Sequence, residues 1–203
     1  MIKMAVVRWY LYALYLRAKR LRDRWLRPRA LDVIHRNAAS GLFARYEDIA
    51  SDLPYAEQIR RREFKVSSQN GEDGLLAFIF GEIGATDHRF VEFGVEDGRE
   101  CNCANLAIGF GWSGLMLEGS PANAVKARAY YDALGRPPGK GVEVVERYVT
   151  AENIDGAIAS AGVSGEIDLL SIDIDGNDYW IWKAIEGIRP RVVVIEYLSL
   201  IHI

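Results

Sequence analysis

Two stretches of the chain predict the centre of its fold: Val91-Glu92-Phe93-Gly94-Val95-Glu96-Asp97-Gly98 and Leu115-Met116-Leu117-Glu118. The first is typical of a buried strand followed by a glycine turn, and the second of a neighbouring strand that ends in a carboxylate. Gly94 and Gly98 let the backbone turn sharply and approach a ligand, because they lack a Cβ atom. Glu118 lies 20 residues beyond Gly98, where a strand-end carboxylate can accept hydrogen bonds from both hydroxyls of a ribose. The pattern predicts a nucleotide-like ligand in an open α/β sheet.

The residue types in the turn indicate which class of nucleotide-like ligand it suits. A dinucleotide fingerprint reads Gly-x-Gly-x-x-Gly, whereas this turn reads Glu-x-Gly-x-x-x-Gly from Glu92 to Gly98 and contains Glu96 and Asp97. Two carboxylates in the turn repel a pyrophosphate, but they suit a ligand that carries an ammonium and a sulfonium. S-adenosylmethionine has both groups. The alternative is an ordinary glycine turn after a strand.

Three more motifs occur along the chain. The first precedes the glycine turn and reads Ser68-Gln69-Asn70-Gly71-Glu72-Asp73-Gly74. The other two come after it and are the run Ile167–Asp178 and Val192-Val193-Val194-Ile195-Glu196. Together with residues 91–98, they resemble the FkbM-type methyltransferase family. Its members carry a Ser-Gln-x-Gly-x-Asp segment, a Val-Glu-x-Gly turn and an Ile-Asp-x-Asp/Glu-Gly block. The resemblance covers roughly residues 65–197. It implies a Rossmann-like class I methyltransferase fold, S-adenosylmethionine as donor, and transfer to an oxygen of a hydroxylated small-molecule or glycan acceptor such as a sugar.

The resemblance also implies which positions hold the cofactor. We expect Glu92, Gly94 and Gly98 to hold its methionine end and Glu118 to hold its ribose. Thr150 follows the third predicted strand, where the adenine is expected. For Gln69 and Asp73, ordinary helix capping is the alternative. The complete set expected to bind the cofactor is Gln69, Asp73, Glu92, Gly94, Gly98, Glu118, Gly119, Thr150 and Asp173.

The block Asp173-Ile174-Asp175-Gly176-Asn177-Asp178 supplies the candidate catalytic residues, Asp173 and Asp175. Carboxylates at the carboxyl end of a buried strand lie where open α/β sheets bind ligands. Asp173 is expected to face the methyl group, where it could orient the attacking hydroxyl, take its proton or help to hold a divalent cation. Asp175 and Asp178 could complete an oxygen-rich site for magnesium or calcium. The sequence leaves a metal requirement open, and it favours helix capping for Asp178.

Other functions compete for the same carboxylates. An EF-hand loop that starts at Ser171 fails, because Trp182 stands where its twelfth position needs a carboxylate. A haloacid dehalogenase opens its domain with such a strand, whereas here the strand comes late. A metal-dependent sugar transferase using Asp173 and Asp175 would leave the glycine turn and Glu118 without a purpose. A non-catalytic binding module that kept the cofactor fold is the other alternative. Glu196 ends the last predicted strand, where it either faces the acceptor or stays solvated.

Composition and charge agree with one domain that carries an appendage. The chain has 203 residues, half of them apolar, and a net charge of −3. Residues 1–65 hold 15 Lys/Arg against 7 Asp/Glu, and residues 66–203 hold 10 against 21. An acidic body does not predict a nucleic-acid partner, because phosphate binding needs clustered cations. Cys101 and Cys103, with three scattered histidines, do not make a zinc site and are expected to be reduced.

The first 65 residues divide into two parts. Residues 1–29 predict a basic amphipathic helix, too short in its apolar part to cross a bilayer and unlike a secretory signal. Such a helix fits an anionic membrane surface, which predicts a cytoplasmic protein in peripheral contact with the inner face of the membrane. Packing of this helix on the body or on another subunit is the alternative. Residues 30–65 predict a helical linker region, and the sequence leaves the oligomeric state open.

Residues 66–197 predict the methyltransferase domain as alternating helices and strands, with strands near 90–93, 114–117, 142–149, 168–172 and 192–197. Continuous apolar strands separated by helices indicate a mostly parallel sheet that is covered on both faces. The family sheet has seven strands, so we expect an incomplete domain that lacks the last two. Residues 198–203 do not resemble the family and are expected to be a non-native tail.

Overall fold

The computed structural model of the protein describes residues 53–137 and 139–196. The predicted basic helix over residues 1–29, most of the linker region and the tail at 198–203 lie outside these residues. The described elements are α1 (Tyr55–Arg60), α2 (Glu72–Ile83), β1 (Arg89–Phe93), α3 (Ala104–Phe110), β2 (Ser113–Glu118), α4 (Pro121–Asp132), β3 (Val142–Glu146), α5 (Ile154–Ser160), β4 (Gly165–Ile172), α6 (Asp178–Ala184) and β5 (Ile188–Ile195).

The strands form a five-stranded sheet in the order β3-β2-β1-β4-β5, and every neighbouring pair is parallel. The chain moves outward from β1 to β3 and then crosses back to place β4 on the other side of β1. This reversal of direction is the topological switch point of a doubly wound sheet, and a crevice opens there outside the carboxyl ends of the strands. The prediction of a parallel, Rossmann-like α/β sheet is confirmed.

Two apolar layers cover the sheet, one on each face. On one face, α2, α3 and α4 pack against side chains such as Phe90, Met116 and Leu169. On the other face, α5 and α6 pack against the alternate positions, including Val91, Leu115 and Leu170. Burial on both faces explains why apolar residues occupy neighbouring positions of the central strands, as in Leu115-Met116-Leu117, rather than every second position. No helix among residues 53–137 and 139–196 is long and apolar enough to cross a membrane.

Several element boundaries differ from those predicted. The last strand begins at Ile188 rather than Val192, although it contains Pro190. Proline cannot donate a ladder hydrogen bond, but β5 pairs only with β4 among the described strands, and an edge position tolerates it. Helix α2 begins at Glu72, and the residue before it is Gly71 in a left-handed conformation.

The ends of β1 and β4 meet at Gly94. Its backbone has φ of 73°, and a Cβ atom there would lie 1.7 Å from the carbonyl oxygen of Asp173. The Gly94 N–H donates to the Leu117 carbonyl at 3.1 Å, and the Asp173 N–H donates to the Phe93 carbonyl at 3.3 Å. The turn therefore needs glycine because another strand end touches it.

Near the amino end of β1, a side chain of the neighbouring strand β4, Asp168, anchors the turn that precedes β1. Its fully buried carboxylate accepts hydrogen bonds from the backbone N–H groups of Thr86, Asp87 and His88, and it pairs with Arg191 at 2.8 Å. Burial alone would raise the pKa of Asp168, but these donors outweigh burial and hold it well below the ordinary value. Asp168 is a structural anchor of the fold.

Replacing Gly94 with alanine should destabilise the fold by about 3–5 kcal/mol, because the new methyl group meets the Asp173 carbonyl in a strained backbone conformation. Gly84→Ala is the matched control, since Gly84 has φ of 67° and a Cβ atom added there would meet nothing within 4 Å; it should cost only about 1–2 kcal/mol. Urea unfolding of both variants measures the difference. Equal losses would mean that the contact at Gly94 is not tight.

Asp168→Asn should lower the free energy of unfolding at pH 7 by about 2–4 kcal/mol, because the amide cannot pair with Arg191 and accept from three N–H groups. A carboxyl group whose folded pKa is depressed stabilises the fold above its unfolded pKa, near 3.9, and loses that contribution as pH falls further. The gap between the wild type and Asp168→Asn should therefore narrow below about pH 4. Urea unfolding from pH 7 to pH 2 measures it, and a gap that stays constant contradicts the assignment.

Candidate functional site

A cavity of about 820 Å³ opens at the carboxyl ends of the strands, at the switch point between β1 and β4. It contains seven of the residues predicted for the site: Gln69, Glu92, Gly94, Glu118, Gly119, Asp173 and Asp175. The loops that follow β1, β2, β4 and β5 all contribute to its wall. Residues that lie far apart in the chain are thus brought into one crevice by the parallel sheet.

Glu118 is fixed at the end of β2 by two backbone donors. Its Oε2 accepts from the Glu96 N–H at 2.7 Å, and its Oε1 accepts from the Ser120 N–H at 2.7 Å. The carboxylate is only 7% exposed, yet it faces the cavity. Each oxygen keeps a further lone pair, so the group can accept two more hydrogen bonds. Glu118 is a preorganised acceptor that is joined directly to the glycine turn.

Glu92 is also buried, and backbone donors from the segment before α3 hold its carboxylate. It accepts from the backbone N–H groups of Asn102 and Cys103, at 2.9 and 3.0 Å, and is 2% exposed. Burial raises its pKa, while the Cys103 N–H and the Ser171 hydroxyl oppose the rise. Glu92 therefore ties the segment before α3 to the sheet, and it presents a buried acidic group at the cavity floor.

Three predicted cofactor residues do not line the cavity. Gly98 packs under α4, where its Cβ would lie 2.8 Å from the Tyr131 ring and where its carbonyl accepts from the Tyr131 hydroxyl at 2.7 Å. Asp73 is buried, and its Oδ2 accepts from the N–H groups of three successive residues, 66 to 68. Thr150 follows the cavity residue Val149 but is not itself part of the wall. Packing and loop anchoring account for the first two positions.

The acidic block after β4 divides into three roles. Asp173 is half-buried in the cavity wall, and burial raises its pKa above the ordinary value. Asp175 is exposed at the rim with φ of 57°. Asp178 is buried, and its carboxylate accepts from the Ile174 and Gly176 N–H groups at 3.0 and 2.9 Å, so it is used in holding the loop. Asp173 therefore combines a place in the cavity wall with a raised pKa.

Backbone strain is concentrated around the same cavity. Three non-glycine residues in the described part of the chain have positive φ: His88, Glu96 and Asp175. Glu96 and Asp175 both line the cavity. Residues in this conformation cost free energy, and they persist where the surrounding structure over-determines them. In this conformation the Glu96 N–H donates to the Glu118 carboxylate, so the strained backbone helps to fix Glu118.

The cavity wall is strongly acidic. Its described lining residues include Arg147 as a single cation against the carboxylates of Glu72, Glu92, Glu96, Glu100, Glu118, Asp173, Asp175 and Glu196. Coulomb repulsion between like charges disfavours anionic ligands there, and a cationic ligand is favoured. Within residues 53–137 and 139–196, no group of three or more His, Cys, Asp or Glu is arranged to hold a metal ion.

Sequence reasoning missed Tyr148. Its ring is 74% exposed and lines the cavity, and a Cβ atom added to Gly119 would lie 3.1 Å from it. The third strand was predicted near residues 142–149, whereas β3 ends at Glu146 and leaves Tyr148 in the loop that follows it. Cys101 and Cys103, expected to be reduced, are free and buried. Burial, followed by the charge of Glu92, raises the pKa of both thiols well above the ordinary value.

No family model matches the sequence, and no curated protein matches it. Solved structures with a similar arrangement include a hypothetical protein from Thermus thermophilus, at 14% identity and a TM-score of 0.43, covering 71% of this chain and 77% of that one. An O-methyltransferase from Bacillus cereus in complex with SAH has 18% identity, a TM-score of 0.40 and coverage of 74% and 62%. An S-adenosylmethionine-dependent methyltransferase from Clostridium acetobutylicum has 10% identity, a TM-score of 0.41 and coverage of 87% and 54%.

The chain therefore spans less than two thirds of the length of the two methyltransferases. At identities of 10–18%, these similarities assign neither a ligand nor a reaction to this chain. A functional assignment has to be argued from the cavity.

Proposed function

We propose that the protein is an S-adenosylmethionine-dependent O-methyltransferase of the FkbM type that acts on a neutral hydroxylated acceptor such as a sugar. The observation that carries the proposal is the position of Glu118. This buried acceptor stands at the switch point, is held by the glycine turn, and opens into the same cavity as Asp173. A ribose at Glu118 fixes the adenosine, and the rest of the molecule then extends past Gly94 toward Asp173.

The charge of the wall supports a sulfonium cofactor over a nucleotide that carries phosphates. A dinucleotide or a nucleotide sugar brings a pyrophosphate, which these carboxylates would repel. S-adenosylmethionine carries a sulfonium and an ammonium, which the same carboxylates attract. This argument disfavours the metal-dependent sugar transferase that Asp173 and Asp175 would otherwise permit.

Asp173 is the residue that we assign to the chemistry. In the proposed step the acceptor oxygen attacks the methyl carbon, the carbon–sulfur bond breaks, and S-adenosylhomocysteine leaves as a neutral thioether. The hydroxyl proton passes to the Asp173 carboxylate. Burial raises the pKa of Asp173, which makes the group a better proton acceptor than an exposed aspartate. In-line displacement depends mainly on positioning, which the fixed strand ends provide.

Calorimetric titration tests the cofactor half of the proposal. We expect binding of S-adenosylmethionine and no binding of a uridine diphosphate sugar. Glu118→Ala should weaken S-adenosylmethionine binding by about 1–3 kcal/mol, or roughly 5- to 150-fold, because two charged hydrogen bonds to the ribose are lost.

Glu166→Ala is the matched control for that variant, since it removes an exposed carboxylate near the amino end of β4, away from the cavity. Its affinity should equal that of the wild type. Unchanged affinity in Glu118→Ala would remove Glu118 from the site, and binding of the nucleotide sugar alone would overturn the assignment.

Asp173→Asn should reduce methyl transfer by more than about 100-fold and leave S-adenosylmethionine affinity within about threefold, because the amide cannot accept the proton. Transfer of a labelled methyl group to neutral monosaccharides and glycosides measures the reaction. Asp132→Asn, at the exposed end of α4, is the control for loss of a carboxylate elsewhere. A fully active Asp173→Asn enzyme rules out the chemical role, and cofactor binding without any transfer by the wild type favours a non-catalytic module.

A further inference from the structure

The ends of β4 and β5 lie side by side at the cavity. Ile172 and Ile195 are paired in the parallel register, and the Glu196 N–H donates to the Ile172 carbonyl at 3.0 Å. Asp173 and Glu196 therefore follow their strands at equivalent positions. Both side chains line the cavity. The sheet thus places two carboxyl groups next to each other at the acceptor end of the site.

The register of β4 and β5 and the shared cavity wall bring the two carboxyl groups within each other's reach, and each shifts the pKa of the other. A hydrogen bond between them requires a proton on one of the two groups, because two ionised carboxylates have no hydrogen to share. Oε2 of Glu196 is fully buried and meets no donor among the described residues. Such a buried acceptor is costly when the group is ionised, and protonation of Glu196 removes much of that cost.

The groups that face the pair are acidic. Asp175 in the loop, Asp178 on α6 and Glu72 on α2 all lie close enough to influence Asp173, and the first two also influence Glu196. Burial raises the pKa of Glu196 most, followed by the charge of Asp173. For Asp173 burial also raises the pKa, whereas the hydrogen bond from Glu196 lowers it. Both effects place the shared proton on Glu196 and the negative charge on Asp173.

We propose that Glu196 is a positioning residue: its protonated carboxyl group donates a hydrogen bond to the Asp173 carboxylate and holds it toward the acceptor. The identity of the acceptor rests on the proposed function. The pairing of the two carboxyl groups does not, since it follows from the register of the ends of β4 and β5. Glu196 thereby fixes the orientation of the proton acceptor and keeps a second negative charge out of the acceptor subsite. Like-charged carboxyl groups in contact share a proton for the same electrostatic reason.

Two variants separate the donor from the bulk of Glu196. In Glu196→Gln the amide N–H₂ still donates to Asp173, whereas Glu196→Leu keeps an apolar side chain of similar size and removes the donor. Carbon-13 NMR of labelled aspartate carboxyl groups from pH 3 to 9 follows Asp173, and the signal is assigned by its loss in Asp173→Asn. We expect the Asp173 midpoint to stay within about 0.3 pH units of the wild type in Glu196→Gln and to rise by about half a unit or more in Glu196→Leu.

The reciprocal measurement follows Glu196 with labelled glutamate. Its midpoint should fall in Asp173→Asn, because the neighbouring charge is removed. Thermal unfolding controls for loss of fold in each variant. An Asp173 midpoint that is unchanged in Glu196→Leu, or that moves equally in the Gln and Leu variants, overturns the proposal.

Calorimetry with S-adenosylmethionine on the same variants separates the two proposals. Wild-type protein that binds no cofactor, with the carboxyl titrations as expected, refutes the proposed function and leaves the pairing intact. Normal cofactor binding by Glu196→Leu, together with an unmoved Asp173 midpoint, refutes only the role of Glu196. A two-step titration of Asp173 in Glu196→Gln, where the partner no longer titrates, would also contradict the pairing.

Discussion

The contact between the Gly94 backbone and the Asp173 carbonyl is the constraint on which the site depends. It brings the ends of β1 and β4 together at the point where the strand order reverses, so closely that a Cβ atom on residue 94 would lie 1.7 Å from the carbonyl oxygen. Because this contact fixes both loops, the turn after β1 can direct the Glu96 N–H to Glu118. The same contact sets the depth at which Asp173 lies. Without this contact, the distance between Glu118 on one side of the cavity and Asp173 on the other would not be fixed.

Buried carboxylates serve as anchors for the loops of this fold. Asp73, Asp168 and Asp178 each accept from two or more backbone N–H groups of a neighbouring turn. Glu92 and Glu118 do the same, but they also reach the cavity. A buried carboxylate that is satisfied by backbone donors costs little. The fold can therefore keep many acids near one crevice, and the resulting field favours a cationic ligand.

The sequence predicted the elements that follow from local patterns. Apolar strands without alternation indicated a sheet that is covered on both faces. The order of the strands alone was enough to place the glycine turn and the carboxylate at the end of β2 beside one cavity. Element ends were predicted less well. The last strand begins at Ile188, four residues before the predicted start, because an edge position tolerates the missing N–H of Pro190. The short helices α3, α5 and α6 begin or end where loops are held by side chains, which a periodicity does not reveal.

Side-chain direction was the part that the sequence could not supply. Gly98 and Asp73 belong to motifs that predict cofactor binding, yet the first packs on Tyr131 and the second holds residues 66–68. The proposed pairing of Asp173 with Glu196 could not be predicted from either motif, because it depends on β4 and β5 being neighbours in register. The sequence also did not reveal that the end of β4 approaches Gly94, which gives this position a structural reason for glycine.

A crystal structure of the protein with S-adenosylhomocysteine would show whether Glu118 holds the ribose. We expect both ribose hydroxyls to lie within hydrogen-bond distance of Glu118 and the thioether sulfur to face Asp173 across the cavity. Density for the ligand at another surface, or a ribose that points away from Glu118 within this crevice, would contradict it.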